Sequence, residues 1–213
     1  MPSFDYRQVP LLAPDRYPKW VVGSDQWAQQ PGDILSLPLP PAPRLLPPRL
    51  FISHSQHDPD FAERIAWLAD SRGFEYWLDI HDPLLSGGGP VPPRVVASTI
   101  EIALINCTHL LAVYTKNAFG SVWVPYEYGR AKDRLGILSD SISAWIPTNS
   151  TDKPSSVPDY LLLGRQFQVR PLHPTPNAEP DIQKWLDDEL IKAGRLPGHG
   201  GTWTALPPLH LPA

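Results

Sequence analysis

The chain has 213 residues and a formal net charge of −4, so it lacks the overall positive charge that binds nucleic-acid phosphates. Its single cysteine, Cys107, excludes an intramolecular disulfide and a multi-cysteine zinc site, as expected for a protein of the reducing cytoplasm. Because neither a secretory leader nor about 18 consecutive apolar residues occur, we expect no secretion and no membrane span.

The composition is unusual in proline: 28 of the 213 residues are Pro, well above the usual share of about 5%. The stretch PGDILSLPLPPAPRLLPP opposes helix formation and favours an extended polyproline conformation. We interpret residues 1–48 as a Pro-rich N-terminal extension that acts as a semi-rigid spacer or, alternatively, as a ligand for a proline-binding module. In a further alternative, the aromatic side chains of Tyr17, Trp20 and Trp27 dock this extension on the folded domain.

From Arg49 onward, strand patterns alternate with helix patterns. The apolar strand RLFIS is followed by a polar loop and by a helix that begins with Asp58 as its cap and Pro59 in its first turn, and that ends at Gly73. The strand FEYWLDI, the loop HDPLLSGGGPVPP and the helix RVVASTIEIALINC repeat this order. Cys107, at the end of that helix, is predicted to be an inert buried thiol.

The second half of the chain continues the alternation. It contains the strand THLLAVYT, the loop KNAFGSVW, the helix VPYEYGRAKDRLG, the strands SISAWIP and QFQVRPL, and the helix DIQKWLDDELIKAG. Units of about 30 residues of this kind are typical of a parallel sheet with helices on both faces. We therefore predict one α/β domain over residues 49–194, a flavodoxin-like three-layer sandwich with a five-stranded parallel sheet, followed by a C-terminal tail at residues 195–213.

Candidate functional residues follow the predicted strands, because open parallel sheets bind ligands at the carboxyl ends of their strands. Ser53, His54 and Ser55 follow the first strand, residues 79–82 follow the second, and residues 116–123 follow the third. These polar, acidic and aromatic side chains suit an uncharged sugar or a nucleotide base.

Phosphate and metal chemistry are less evident. Gly87, Gly88 and Gly89 lack the Gly-Lys-Ser/Thr that completes a phosphate-binding loop, so a flexible loop is the simpler interpretation. His199 and His210 have no partner at metal-ligand spacing, and we predict no metal site.

Three short motifs occur in order on this scaffold: FISH at residues 51–54, Asp79 followed by SGGG at residues 86–89, and WVPYE at residues 123–127. Together they resemble the boxes of the Toll/interleukin-1 receptor (TIR) domain family, in which the second segment leads into the BB loop and the third is a W-x-x-x-E motif. The resemblance covers the predicted α/β domain, whereas the Pro-rich extension and the tail lie outside it.

The resemblance to stand-alone bacterial TIR proteins implies an enzyme that cleaves the nicotinamide–ribose bond of NAD+. NAD+ is then a substrate, no cofactor is needed, and the products are nicotinamide and ADP-ribose or a cyclic ADP-ribose-type signal. By the same resemblance Glu127 is the catalytic residue. The residues implied in substrate binding are Ser53, His54, Ser55, Asp79 and Trp123.

The resemblance further implies a role in antiphage immunity, self-association through TIR–TIR contacts, and a separate effector protein that responds to the product. It implies no direct binding of nucleic acid or membrane. The main alternative is a non-catalytic adaptor that acts by TIR–TIR assembly. A flavodoxin-like phosphoacceptor module is a weaker alternative, because the first strand is not followed by an acidic cluster.

Individual residues also have simpler interpretations. Trp123 is equally well explained as a core tryptophan. His54 could position substrate or act as a base in cyclisation, but a hydrogen-bonded residue at a strand end is the simpler interpretation. Asp79 either contacts substrate or only caps the loop that follows it.

Overall fold

A computed structural model describes residues 19–24, 48–86, 89–135, 140–148, 152–169 and 180–195. The strands are β1 (Arg49–Ser53), β2 (Glu75–Trp77), β3 (His109–Val113), β4 (Ile142–Pro147) and β5 (Arg165–Val169). The helices are α1 (Pro59–Arg72), α2 (Pro83–Ser86), α3 (Pro93–Asn106), α4 (Trp123–Leu135) and α5 (Pro180–Lys192). Short 3-10 turns occupy Asp79–His81, Ala118–Gly120 and Asp159–Leu163.

The five strands form one parallel sheet in the order β2-β1-β3-β4-β5. All five residues of β1 are buried, as expected for a strand covered on both faces. The strand order reverses between β1 and β3, where Ser53 is paired with Ala112. In open α/β sheets the ligand crevice lies at this point, outside the carboxyl ends of the strands. The predicted fold is therefore confirmed, and it places the residues after β1 and β3 at the expected crevice.

Helices cover both faces of the sheet, which confirms the three-layer arrangement. Helices α1 and α5 pack on one face, and α3 and α4 pack on the other. Apolar side chains at helical spacing on α1, α3 and α5 are buried against the sheet. These side chains are Phe61, Ile65 and Leu68 on α1, Ile100, Ala103 and Leu104 on α3, and Ile182, Trp185, Leu186 and Leu190 on α5.

A short N-terminal segment, residues 19–24, lies along the outer edge of β2. Lys19 forms a parallel bridge with Tyr76, and the Trp20 amide donates to the Tyr76 carbonyl oxygen at 2.9 Å. The Trp20 side chain is 3% exposed. The docking alternative is thus confirmed for Trp20, whereas Tyr17, Trp27, most of the Pro-rich stretch and the tail beyond residue 195 lie outside the described residues.

Two local predictions about the second strand are wrong. The strand ends at Trp77 instead of Ile80, because the Ile80 amide donates to the Asp79 carboxylate at 2.8 Å and the chain turns. The loop predicted after it contains α2, whose first turn is capped by the Asp82 carboxylate through the Leu84 amide at 3.0 Å.

Asp58 is the N-cap residue of α1, as predicted. Its backbone carbonyl accepts from the Ala62 amide, but no side-chain cap bond forms at the start of α1. The carboxylate contacts the loop after β3 instead. Within the described residues, no helix has both the length and the apolar character needed to cross a bilayer.

Candidate functional site

Glu127 reaches the crevice because α4 begins directly after the loop that follows β3. The Ser121 hydroxyl accepts from the backbone amides of Trp123 and Val124 at 3.2 and 3.3 Å, so it caps the first turn. Val124 and Tyr128 are buried against the sheet, and Glu127 lies on the same side of the helix with 6% exposure. An otherwise amphipathic helix therefore directs one carboxyl group inward.

The Glu127 carboxylate is held by the last residue of β1. The Ser53 hydroxyl donates to Glu127 Oε2 at 2.5 Å, and both side chains are buried. Burial raises the pKa of Glu127 to about 8, the Ser53 hydrogen bond opposes this rise, and the charge of Asp79 adds to it. Within the described ranges no cationic side chain forms an ion pair with Glu127. A buried acid without a counter-ion therefore lies in the crevice.

His54 and Asp79 face each other beside this carboxyl group. His54 Nε2 lies 3.6 Å from Asp79 Oδ1, which is within ion-pair range but too long for a hydrogen bond. In the described part of the chain His54 Nε2 is buried and has no hydrogen-bond partner. Asp79 is about one third exposed. The structure therefore brings together Ser53, His54, Asp79 and Glu127, and His54 Nε2 is left without a hydrogen-bond partner among the described residues.

Ser55 has a local role in the loop after β1. Its hydroxyl accepts from the His57 amide at 3.3 Å, and its carbonyl accepts from the Asp58 amide at 2.8 Å. These contacts shape the loop. They do not connect Ser55 to Glu127.

Trp123 is the first residue of α4, one helical turn before Glu127. It is 36% exposed, so the core interpretation is wrong, and its indole packs edge-on against Tyr126 with ring centroids 5.8 Å apart. Phe119 and Val122 are also exposed, at 55% and 78%. The Tyr126 hydroxyl donates to Glu101, and this bond together with burial raises the pKa of Tyr126 to about 12. An aromatic and apolar rim thus follows the same loop and helix start as Glu127.

Sequence analysis did not predict the cluster formed by Asp58, Thr115 and Asn117. The Thr115 hydroxyl donates to Asp58 Oδ2 at 2.5 Å, and the Asn117 side-chain amide donates to Asp58 Oδ1 at 2.8 Å. The cluster ties the loop after β1 to the loop after β3. The only sequence signal was Asp-Pro, which indicates a helix cap and does not show a contact 57 residues away.

Asp82 is the second residue whose role was not predicted. It is fully buried, and its Oδ2 accepts from the Trp77 indole at 2.9 Å and from the Val22 amide at 3.1 Å. The Asp82 amide in turn donates to the Asp79 carbonyl oxygen at 3.1 Å. The signal that could have found it is the pair Asp82-Pro83, a helix start within the predicted loop.

The site, which we call the pocket, thus combines the carboxyl groups of Glu127 and Asp79 with the Ser53 hydroxyl and the His54 imidazole, and exposed aromatic side chains lie at the start of the same helix as Glu127. Such a pocket favours a ligand that carries positive charge and hydroxyl groups. Among the residues that the structure describes, no three His, Cys, Asp or Glu side chains are grouped so that they can hold a metal ion.

Comparison with known proteins gives one match. A family model described as TIR domain matches residues 50–193, which is more than half of the chain and includes all residues of the pocket. No curated protein matches the chain at a significant level.

Proposed function

The chain belongs to the TIR domain family, and on that premise we propose that it is an NAD+ nucleosidase that breaks the bond between nicotinamide and ribose. The products are nicotinamide and either ADP-ribose or a cyclic ADP-ribose-type molecule. The observation that carries the proposal is the buried Glu127 carboxyl group, which is hydrogen-bonded to Ser53 and lies near Asp79 without a counter-ion among the described residues.

The chemistry of NAD+ explains why one carboxylate suffices. Nicotinamide leaves as a neutral molecule, because the electron pair of the broken bond neutralises the pyridinium nitrogen, and no general acid has to protonate it. Positive charge develops on the ribose as the bond breaks. A carboxylate already positioned in a water-poor pocket stabilises that charge at little reorganisation cost.

Substrate binding also brings Glu127 to the required charge state. In the free protein, burial and the Asp79 charge favour the protonated form below a pH of about 8. A bound pyridinium ring favours the carboxylate, because an opposite charge within a few ångströms lowers the pKa of an acid. The Ser53 hydroxyl donates to the ionised form and keeps its orientation.

We assign the remaining pocket residues to the ribose and the rings. His54 Nε2 is available to donate to a ribose hydroxyl, or to accept a proton from the attacking group, and Asp79 lies beside it to hold the second hydroxyl. Trp123 is 36% exposed, and we assign its indole to stacking with a planar ring of the substrate. Ser55 supports the loop that carries His54.

Hydrolysis and cyclisation differ only in the attacking group. In hydrolysis, a water oxygen bonds to the ribose carbon and releases one proton. In cyclisation, a nitrogen of the adenine ring of the same molecule attacks.

At the level of the cell, we propose that the activity serves bacterial antiphage immunity, either by depleting NAD+ or by producing a signal for a separate effector protein. The support is the resemblance to stand-alone bacterial TIR proteins. TIR domains commonly self-associate, and we propose the same for this chain. The exposed apolar side chains of Phe119 and Val122 are consistent with such contacts.

The alternative is a non-catalytic adaptor that acts only by TIR–TIR assembly. Both functions use self-association, but only the enzyme needs the Glu127 carboxylate.

A chromatographic assay of nicotinamide release distinguishes them. The protein at high concentration is incubated with NAD+, beside Glu127→Gln and the matched control Asp188→Asn, whose carboxylate is on the surface of α5 and pairs with Lys184. We expect Glu127→Gln to lose about 100-fold or more in kcat, since its amide cannot stabilise a cation, whereas Asp188→Asn retains activity. Equal turnover in all three proteins would refute the assignment of Glu127, and no turnover in the wild type would favour the adaptor. Mass analysis of the co-product separates hydrolysis from cyclisation.

A further inference from the structure

The N-terminal segment Lys19–Ser24 lies outside the family match, yet it pairs with the edge strand β2, the strand that leads to Asp79. The Trp20 side chain is buried with Phe51 and Trp77 in the core beneath α3 and α4. The Arg49 guanidinium lies over the Trp20 ring, 4.8 Å from its centroid. These contacts fix the segment along β2, so that it continues toward the carboxyl end of the sheet.

At that end the segment forms a tight turn. The Ser24 amide donates to the Val21 carbonyl oxygen at 3.0 Å, and Gly23 has a φ of 80°. Val22 has no positive φ, so these values describe a type II turn with Val22 at its second position and Gly23 at its third. The Val22 amide is not used by the turn. It donates to Asp82 Oδ2 at 3.1 Å.

Asp82 links this turn to the pocket. Its carboxylate is fully buried and accepts three bonds, from the Val22 amide, the Trp77 indole and the Leu84 amide. Its own amide closes the 3-10 turn onto the Asp79 carbonyl. A buried carboxylate that loses one of few donors is strongly destabilised, so removal of the Val22 amide should displace Asp82 and the turn attached to it.

We propose that Lys19–Ser24 is a positioning element of the site: the hydrogen bond from Val22 to Asp82 holds the turn that presents Asp79 to His54 and Glu127. The inference rests on the proposed function only for its kinetic consequence, because the geometry of the pocket can be followed without substrate. The segment is thus part of the functional unit, although it precedes the family domain in the chain.

The test compares Val22→Pro with Val22→Ala. Proline fits the second position of a type II turn but has no amide hydrogen, so it removes the donor and keeps the turn. Alanine keeps the donor and removes only part of the side chain. Circular dichroism and thermal melting show whether both variants are folded.

The primary measurement is the titration of the Glu127 carboxyl carbon by NMR, assigned by its loss in Glu127→Gln. The charged and polar groups that act on Glu127 are Ser53, Asp79 and Tyr126, with His54 beside Asp79. When Asp79 moves away, its repulsion weakens and the midpoint falls. We expect a downward shift of about half a unit in Val22→Pro and none in Val22→Ala. Equal midpoints in a folded Val22→Pro would overturn the proposal.

Kinetics give a second readout. We expect Val22→Pro to raise KM for NAD+ several-fold and to lower kcat less, because Asp79 is assigned to substrate binding and Glu127 stays in place. If the wild-type protein releases no nicotinamide, the proposed function fails, while the titration still decides whether the segment positions Asp79.

If Val22→Pro does not fold, hydrogen exchange of the wild-type protein tests the hydrogen bond from Val22 to Asp82 instead. The Val22 amide should exchange as slowly as the Leu84 amide, since both are held by Asp82. Exchange of the Val22 amide at the rate of an unstructured peptide would overturn the proposal.

Discussion

At the scale of single residues, the charge state of Glu127 is set by neighbours that have opposite effects on its pKa. Burial and the Asp79 charge favour its protonated form, and the Ser53 hydroxyl favours its ionised form. Because the pKa in the folded protein, about 8, is above the unfolded value of 4.5, the fold loses stability as pH rises between those values, where Glu127 ionises in the unfolded chain but stays protonated in the folded protein. A buried acid that lowers the stability of the folded protein is typical of a functional site.

The raised pKa of Glu127 predicts the pH dependence of the proposed reaction. We expect kcat/KM for NAD+ to rise with pH and to level off above about 8, because this parameter reports the ionisation of the free enzyme. Asp79→Asn should move the rising limb to lower pH by removing a negative charge. Ser53→Ala should move it to higher pH by removing a donor to the carboxylate. The measurement is nicotinamide release between pH 5 and 10, and identical limbs in all three proteins would contradict the assignment of Glu127.

At the scale of elements, the pocket is assembled by loops that the sheet brings together. Asp58, in the loop after β1, accepts hydrogen bonds from Thr115 and Asn117, which follow β3. On the other side of β1, Asp82 connects the start of α2 with the N-terminal segment. Each connection uses a buried carboxylate, so each loop has one preferred position. The orientation of the pocket residues follows from these fixed loops.

The packing of α4 on the sheet predicts the effect of a single methyl group. A side chain at Gly164 would overlap the Tyr128 hydroxyl and lie 2.7 Å from the Ile142 carbonyl oxygen. We expect Gly164→Ala to lower the free energy of unfolding by about 1–3 kcal/mol through overpacking. Gly129→Ala is the matched control, because nothing lies within 4 Å of a Cβ there, and alanine should stabilise α4 by about 0.5–1 kcal/mol. Urea denaturation measures the free energy of unfolding of both variants. An unchanged free energy in Gly164→Ala would disprove the close approach of Gly164 to Tyr128 and Ile142.

At the scale of the whole molecule, the last helix is tied to the sheet end opposite the pocket. Glu189 on α5 contacts His109 Nε2 at 3.2 Å and accepts from Lys192 Nζ at 2.7 Å. Burial alone would raise the pKa of Glu189, but the hydrogen bonds and charges of His109 and Lys192 lower it to about 2. This contact stabilises the three-layer arrangement from the end where no ligand is expected to bind.

The lowered pKa predicts an acid-dependent loss of stability. Because the folded pKa is below the unfolded value of 4.5, the stabilisation is complete above about 4.5 and is lost as pH falls toward 2. We expect Glu189→Gln to be less stable than wild type at pH 7 and to lose less further stability on acidification. Chemical denaturation at pH 7 and pH 3 measures the free energy of unfolding of both proteins. Asp188→Asn, which changes a surface carboxylate, is the control. Parallel losses in wild type and Glu189→Gln would contradict this prediction.

Much of the fold followed from local patterns. The strands β1, β3 and β4 and the helices α1, α3 and α5 were predicted because burial on a sheet requires apolar side chains at regular spacing. The short strand β2 and the helix α2 were predicted less well. Their limits depend on where the Asp79 and Asp82 carboxylates bind backbone amides, and local periodicity does not contain that information.

The sequence by itself determined the parallel α/β fold, the TIR family and the position of Glu127 after β3, because these depend on periodicity and on short motifs in order. Only the tertiary structure decided that Glu127 is buried against Ser53, that Asp58 and Asp82 fix the loops around it, and that residues 19–24 belong to the same unit. These features are contacts between residues 57 to 74 positions apart in the chain. Such contacts arise only when the sheet brings its strand ends together, so a one-dimensional pattern does not show them.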